Sequence, residues 1–321
     1  MIRLLLPFAA LLLVCSGCSP KASGPTKKLL VVTVTTGFRH SSIETAEQVL
    51  ADLAAKSGAF TVDFVRQPPG MPVNPGKAPE RGPKETDEAF AKRTTDYSTA
   101  LAAFNEASKT WNDKVAAHLA ATMSPVQLKA YDGFIFANTT GDLPLPDREA
   151  FINEVESGKA FIAMHSGGDT YHGFRRYVDL VGGEFDGHPW HEMVTVRIED
   201  RQHPAGAVWT KPTDKEPGKF EIADEIYQFK SYNRADKQVI LSLDPSNEEI
   251  RPKKKDTDGT EKSFFQRGKR EDKDYAVTWT REQAKGRVFY TSLGHREEVW
   301  LNPRYQAHIL AGIQWALGLP H

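Results

Sequence analysis

Phe161-Ile-Ala-Met-His-Ser-Gly-Gly-Asp-Thr170 is the stretch on which the fold turns. Its apolar run, Phe161 to Met164, gives way at once to small and polar residues. Short, continuous apolar runs belong to strands covered on both faces, as in a parallel sheet. The break that follows is the sequence form of a strand-to-helix elbow, which holds one side chain above the end of a sheet. Here the apex carries an imidazole, His165, with Ser166 beside it.

The same grammar extends in both directions. Upstream, Leu29 to Thr35 is β-branched and apolar, Ser42 to Ser57 has helical periodicity, and Thr61 to Val65 and Tyr131 to Asn138 read as two further strands. A helix from about Pro146 to Ser157, closed by Gly158, precedes the strand into His165. This βαβ alternation predicts an α/β fold, a mostly parallel sheet with helices on both faces and right-handed crossovers. Downstream come strand-like segments at 193–198, 222–229, 239–243, 275–280 and 287–293, then a closing helix over 303–317. No internal repeat or linker divides residues 28–320, which read as one elaborated domain. Two segments interrupt it. Residues 67–124 form an insertion, first rich in Pro, Gly and charge and then Ala-rich and helical from Tyr97 to Ala121, expected as a decoration or a lid. Residues 247–274, with Lys253 to Lys255, read as a solvated charged loop.

Lys and Arg (41) nearly balance Asp and Glu (42), so the formal charge of -1 leaves no electrostatic footprint for nucleic acid. A small, locally recognised ligand fits better. At the N-terminus, Arg3 precedes an apolar run from Leu4 to Val14 and then Cys15-Ser-Gly-Cys18, the layout of a secretory signal. The run is too short to span a bilayer. Cys18 after Ser16-Gly17 has the form of a bacterial lipobox, although Cys15 stands where Leu is usual. Residues 1–18 are therefore expected to be a lipoprotein signal, Cys18 the lipidated residue, and 19–27 a tether. Such a protein is exported and membrane-anchored on the periplasmic or cell-surface side. Both cysteines lie in this leader, so the remaining chain has no disulfide and no thiol nucleophile.

Five segments stand at predicted strand ends: Gly37-Phe-Arg-His40, Asn138-Thr-Thr-Gly-Asp142, His165-Ser-Gly-Gly-Asp169, Gly187-His-Pro-Trp-His191 and Ser292-Leu-Gly-His-Arg-Glu297. Carboxyl ends of parallel strands share one edge, where ligands bind. His40, His165, His188, His191 and His295 are thus candidate ligands, in some subset, for a divalent metal such as Zn, Mn or Fe. The same imidazoles also suit metal-free acid and base work, and no tight motif such as His-Glu-x-x-His decides between the two. Ser166 lacks the preceding Gly of a hydrolase elbow. Asn138, Thr139, Thr140, Asp142 and Asp169 are candidate ligand-binding residues, and Trp190 and Tyr227, with Tyr171 and Phe174, offer rings to stack on a sugar.

Taken in order, Gly37-Phe-Arg-His40, Asn138-Thr-Thr-Gly-Asp142, His165 with Asp169-Thr170, Gly182-Gly with Phe185 and His188-Pro, Asp224-Glu-Ile-Tyr227 and Leu293-Gly-His295 resemble the pattern of the ThuA-like (trehalose utilisation) family. The resemblance runs from about Lys28 to Gly318, apart from the two interruptions. It implies a flavodoxin-like, class I glutamine amidotransferase-like fold. In amidotransferases a Cys occupies the elbow and a His-x-Glu follows the last strand; here His165 replaces the Cys, and His295-Arg-Glu297 resembles the retained pair. Without a thiol no glutamyl thioester forms, so amidotransferase activity is not expected. What the resemblance implies instead is metabolism of trehalose, another disaccharide or a 3-keto-sugar. His165, His295 and Glu297 would be the catalytic residues, and Arg39 or a bound cation would stabilise an oxyanion. The expected chemistry is isomerisation, or elimination and hydration. Two other readings remain open: a carbohydrate-binding or scaffold protein without catalysis, and a glycoside hydrolase drawing on Asp142, Asp169, Asp186 and Glu297.

Overall fold

The computed structural model describes residues 26–210, 218–248, 268 and 270–320. The leader with Cys15 and Cys18, and most of the charged loop, lie outside the described residues. Strand β1 (Lys27–Val32) shows why the sheet needs two helical layers. Leu29 and Val31 face one core while Leu30 and Val32 face the other, and all four are buried. The first layer is opened by α1 (Ile43–Ser57), which buries Ile43, Ala46, Val49, Leu50 and Leu53 at helical spacing. It leads into β2 (Phe60–Val65), parallel to β1.

The insertion is built round a long helix, α2 (Asp87–Thr122), of 36 residues and so about 54 Å long. It begins ten residues before the Ala-rich stretch because Thr86 caps it, accepting from the Ala89 N–H at 3.2 Å, with Asp87 and Glu88 in the first turn. Only Trp111, Val115 and Leu119, near its end, are buried against the body. The preceding segment straps the rest: Glu85 pairs with Arg93, Gly76 O accepts from Tyr97 and Pro69 O accepts from Lys114.

A short α3 (Pro125–Leu128) precedes β3 (Gly133–Ala137), then α4 (Arg148–Glu156), capped by Asp147, leads to β4 (Ala160–Met164). All five residues of β3 and of β4 are buried. After β4 come α5 (Arg175–Val181), β5 (Glu184–Phe185), β6 (Trp190–Ile198), α6 (Pro204–Ala207), β7 (Lys219–Ile226) and β8 (Phe229–Lys230). Strands β9 (Gln238–Leu243), β10 (Ala276–Gln283) and β11 (Gly286–Thr291) follow, then α7 (Glu297–Trp300) and α8 (Pro303–Ala316).

Nine strands form one sheet in the order β2-β1-β3-β4-β11-β10-β9-β6-β7. The first five are parallel, in the flavodoxin-like 2-1-3-4-5 order. The remaining four add as antiparallel neighbours. This second half curls back over the carboxyl edge of the first. Although β7 ends the order, its Asp224 Oδ2 accepts from the Gly294 N–H after β11 at 2.7 Å, and the Tyr227 N–H donates to Ser292 Oγ at 2.9 Å.

One buried titratable group sits far from that edge. His308 of α8 is fully enclosed, with its ring nitrogens against Ala205 O (2.7 Å), Trp209 Nε1 (3.0 Å) and Thr278 Oγ1 (3.3 Å). Burial pulls its pKa from 6.5 down to about 4. Between those values the unfolded chain holds a proton there that the native protein does not. Stability is therefore lost as pH falls from about 6.5 to about 4, by about 3 kcal/mol from this group. In denaturant titrations across that window, His308→Gln is expected to flatten the pH slope of the unfolding free energy by about this amount.

Candidate functional site

The elbow at His165 is a left-handed residue, φ 47°, followed at once by a turn of 3-10 helix over His165–Asp169. A non-glycine residue holds such a conformation only when its surroundings impose it. Tyr290 donates to His165 O at 3.1 Å, Tyr177 donates to Gly167 O at 2.7 Å, and Thr170 donates to Ser166 O at 3.2 Å. Gly167 is required by close approach, since a Cβ there would stand 2.7 Å from Phe136 O. Asn138, at the end of β3, is left-handed as well, φ 54°.

At this edge the candidate histidines converge on a single carboxylate, Glu225 of β7. One oxygen, Oε2, lies 3.4 Å from His165 Nε2 and 3.2 Å from His295 Nδ1. The other, Oε1, lies 3.1 Å from His188 Nδ1 and 3.6 Å from His191 Nδ1. His40 packs edge-on against both His165 and His295, with ring centroids 4.9 and 5.1 Å away. His165 is wholly buried and His40, Glu225 nearly so, whereas His188 and His191 reach solvent.

Hydrogen bonding sets the proton positions. The His165 Nδ1–H donates to Ser292 O at 2.8 Å, which turns Nε2 toward Glu225 and His295. His295 Nδ1 lies 3.3 Å from that nitrogen and 3.2 Å from Glu225 Oε2. Burial acts to lower its pKa, but the hydrogen bond and charge of Glu225 outweigh it and raise it. Burial likewise opposes the Glu225 charge, yet contact with His165 and His295 holds its carboxyl well below the usual range. His40 is kept neutral: burial first, then the neighbouring His165 and His295, bring its pKa down to about 3. The result is one buried carboxylate against His165 and His295, with a neutral His40 packed on both of those rings.

Asp224, the residue before Glu225, is fully buried and does a different task. Its two oxygens accept from the Gly294 and Arg296 N–H groups at 2.7 and 3.2 Å, fixing the loop that carries His295. Burial raises its pKa.

The other sequence candidates fall elsewhere. Glu297 begins α7 and is exposed, so the resemblance to a His-x-Glu pair does not carry over: the loop held by Asp224 turns His295 inward and Glu297 out to solvent. The carboxylate beside the imidazoles is Glu225, from a strand five places along the sheet from β4. Trp190 is buried in the core against Tyr275, ring centroids 4.6 Å apart, with no face left for a ligand. Tyr227 is buried too, its ring tilted over His165 and Phe185 at 4.4 Å from each. Arg39 donates to Thr33 O at 2.9 Å and lies in the field of Glu47 and Glu44 of α1, away from the cluster. Thr140 donates to Phe38 O, Thr139 and Thr170 share a hydrogen bond, and the Asn138 amide donates to Ser42 Oγ and Gly294 O, so these three tie the loops together. The Asn138 Oδ1 is buried without a partner among the described residues. Asp142 is exposed near Arg148, and Asp169 pairs with His172 at the rim.

His40, His165, Glu225 and His295 can each present one ligand atom within 4.8 Å of the others. Ligands about 2.1 Å from a tetrahedral ion stand roughly 3.4 Å apart. The three separations among His165, Glu225 and His295, 3.2 to 3.4 Å, match that edge. Three imidazoles and one carboxylate also form a donor set suited to zinc, manganese or iron, so the residues fit a divalent cation.

An α/β sheet with the flavodoxin order and a histidine cluster at its carboxyl edge defines the class. The chain belongs to the ThuA family, described as trehalose utilisation, whose pattern matches residues 86–316. Its fold is similar to that of a ThuA-like protein from Bacteroides uniformis ATCC 8492, with a TM-score of 0.55 and 18% identity over 94% of this chain and 95% of that one. A ThuA-like protein from Parabacteroides merdae ATCC 43184 gives 0.54 and 14% over 92% and 91%. At these identities the likeness is one of fold. No curated protein matches the chain.

Proposed function

We propose that the Glu225-centred cluster moves protons on a sugar carbonyl compound, isomerising or dehydrating and rehydrating a keto-sugar derived from trehalose or another disaccharide. The observation that carries this is the contact of two imidazoles, His295 and His165, at 3.3 Å on one oxygen of a buried carboxylate. A C–H beside a ketone is acidic. His165 Nε2 takes that proton, the electron pair moves into an enediolate, and His295 donates a proton to the former carbonyl oxygen. Return of that proton from His165 to the former carbonyl carbon, while His295, now short of its proton, takes the one on the other hydroxyl as that oxygen becomes the new carbonyl, completes an isomerisation. Asp224 keeps the donor in place through the Gly294 and Arg296 amides. A divalent cation held by His40, His165, Glu225 and His295 would supply polarisation of the carbonyl and stabilisation of the enediolate charge. His188 and His191, on the other oxygen of Glu225 and open to solvent, would then carry the proton.

The rival reading is a sugar-binding protein without turnover, and activity separates the two. The purified protein is expected to consume a 3-keto-glucoside, with or without added zinc, manganese or iron, and His165→Ala with His295→Ala to lose at least about a hundredfold of that rate. Absence of turnover by the unaltered protein under all of these conditions would remove the enzymatic proposal.

We further propose that the leader exports the chain and anchors it through a lipid on Cys18, with the segment up to Lys27 as tether. In fractionated cells Cys18→Ser should move the protein from the membrane pellet to the soluble exported fraction; an unchanged distribution would count against a lipid anchor.

A further inference from the structure

Phe38 is 69% exposed, and it is the one aromatic among the exposed large apolar side chains of the described residues. Single exposed apolar residues are ordinary on protein surfaces. This one differs in how it is held and in what it touches. Its ring stands edge-on to His40 of the buried cluster, centroids 4.9 Å apart. Its loop is clamped to the β3 loop: the Thr36 N–H donates to Thr140 O at 3.0 Å and Thr140 Oγ1 donates to Phe38 O at 2.7 Å. Gly141, φ 75°, allows the two loops to close, because a Cβ there would meet Thr36 Oγ1 at 2.5 Å. A rigid backbone thus presents a phenyl face to water beside the imidazoles. From His40 the chain of ring contacts continues through His165 and Tyr227 to Phe185.

We infer that Phe38 is the platform on which the substrate's pyranose ring lies by its C–H face, at the entrance to the histidine cluster. The inference rests on the sugar reading above and adds the residue that recognises the ring. A pyranose has hydroxyls round its rim and a patch of C–H groups on its face, so a rigid aromatic face next to polar, protonatable groups complements both parts. Rings held by core packing, such as Trp190 and Tyr227, present no such face.

Binding without chemistry isolates the claim. Trehalose and methyl α-glucoside, which lack the ketone, are titrated calorimetrically into the unaltered protein, Phe38→Ala and Phe38→Trp. Phe38→Ala is expected to weaken binding about tenfold, the loss of roughly 50 Å² of apolar contact. Phe38→Trp is expected to restore it, with indole fluorescence changing on sugar addition. An exposed side chain at this position makes both variants expected to melt with the unaltered protein. Equal affinity of Phe38→Ala and the unaltered protein would overturn the platform and leave the sugar reading standing. No saturable binding of either sugar by the unaltered protein would overturn both.

Discussion

A buried negative charge organises this protein. Glu225 is almost inaccessible to water, and a carboxylate in that position without partners would cost several kcal/mol. Histidines surround it, two on each oxygen, and contact with His165 and His295 makes its burial tolerable, holding its carboxyl below the usual range. In return Glu225 raises the His295 pKa in a place where burial alone would lower it. His40 and His165 complete the group, one neutral by burial and crowding, the other fixed in tautomer by Ser292 O. Remove the carboxylate and burial acts on His295 with its main opposing influence gone.

The fold exists to bring that charge to the elbow. Parallel strands β1, β3, β4 and β11 end on one edge and deliver His40, Asn138, His165 and His295. The antiparallel half then returns across this edge and delivers Glu225. The return is fastened by Asp224, whose oxygens hold the amides of the loop bearing His295, and by the Tyr227 N–H on Ser292 Oγ. Adjacent residues of one strand, Asp224 and Glu225, therefore face opposite ways, the first fixing the scaffold and the second entering the site.

Much of this was legible before any coordinates. Continuous apolar runs such as Phe161 to Met164 read as strands covered on both faces, and their alternation with helices points to the parallel half. The five histidines named from strand ends do gather, four of them on one carboxylate and His40 against His165 and His295; parallel topology forces His40, His165 and His295 together, while His188 and His191 come from the start of the antiparallel β6. Glu225 was not legible. It lies inside a strand of the antiparallel half, and only the curl of the sheet, a long-range property, places it beside His165. It stood in a segment that carries the family resemblance, Asp224-Glu-Ile-Tyr227, and in an acidic pair within a strand whose neighbours are buried, but neither says which carboxylate meets the histidines. The choice of Glu297 failed for the same reason: sequence proximity to His295 says nothing of which way a loop turns. Trp190 was ambiguous because core and ligand-stacking aromatics share one composition, and burial alone separates them. Phe38, in a quoted motif, needed its exposure to be seen.

The most direct test is the metal content of the purified protein, measured by elemental mass spectrometry without chelators, beside Glu225→Gln. One divalent ion per chain in the unaltered protein and its loss in Glu225→Gln is the predicted result. A protein that neither retains nor takes up zinc, manganese or iron, or a Glu225→Gln variant that holds as much as its parent, would contradict a cation site built on this carboxylate.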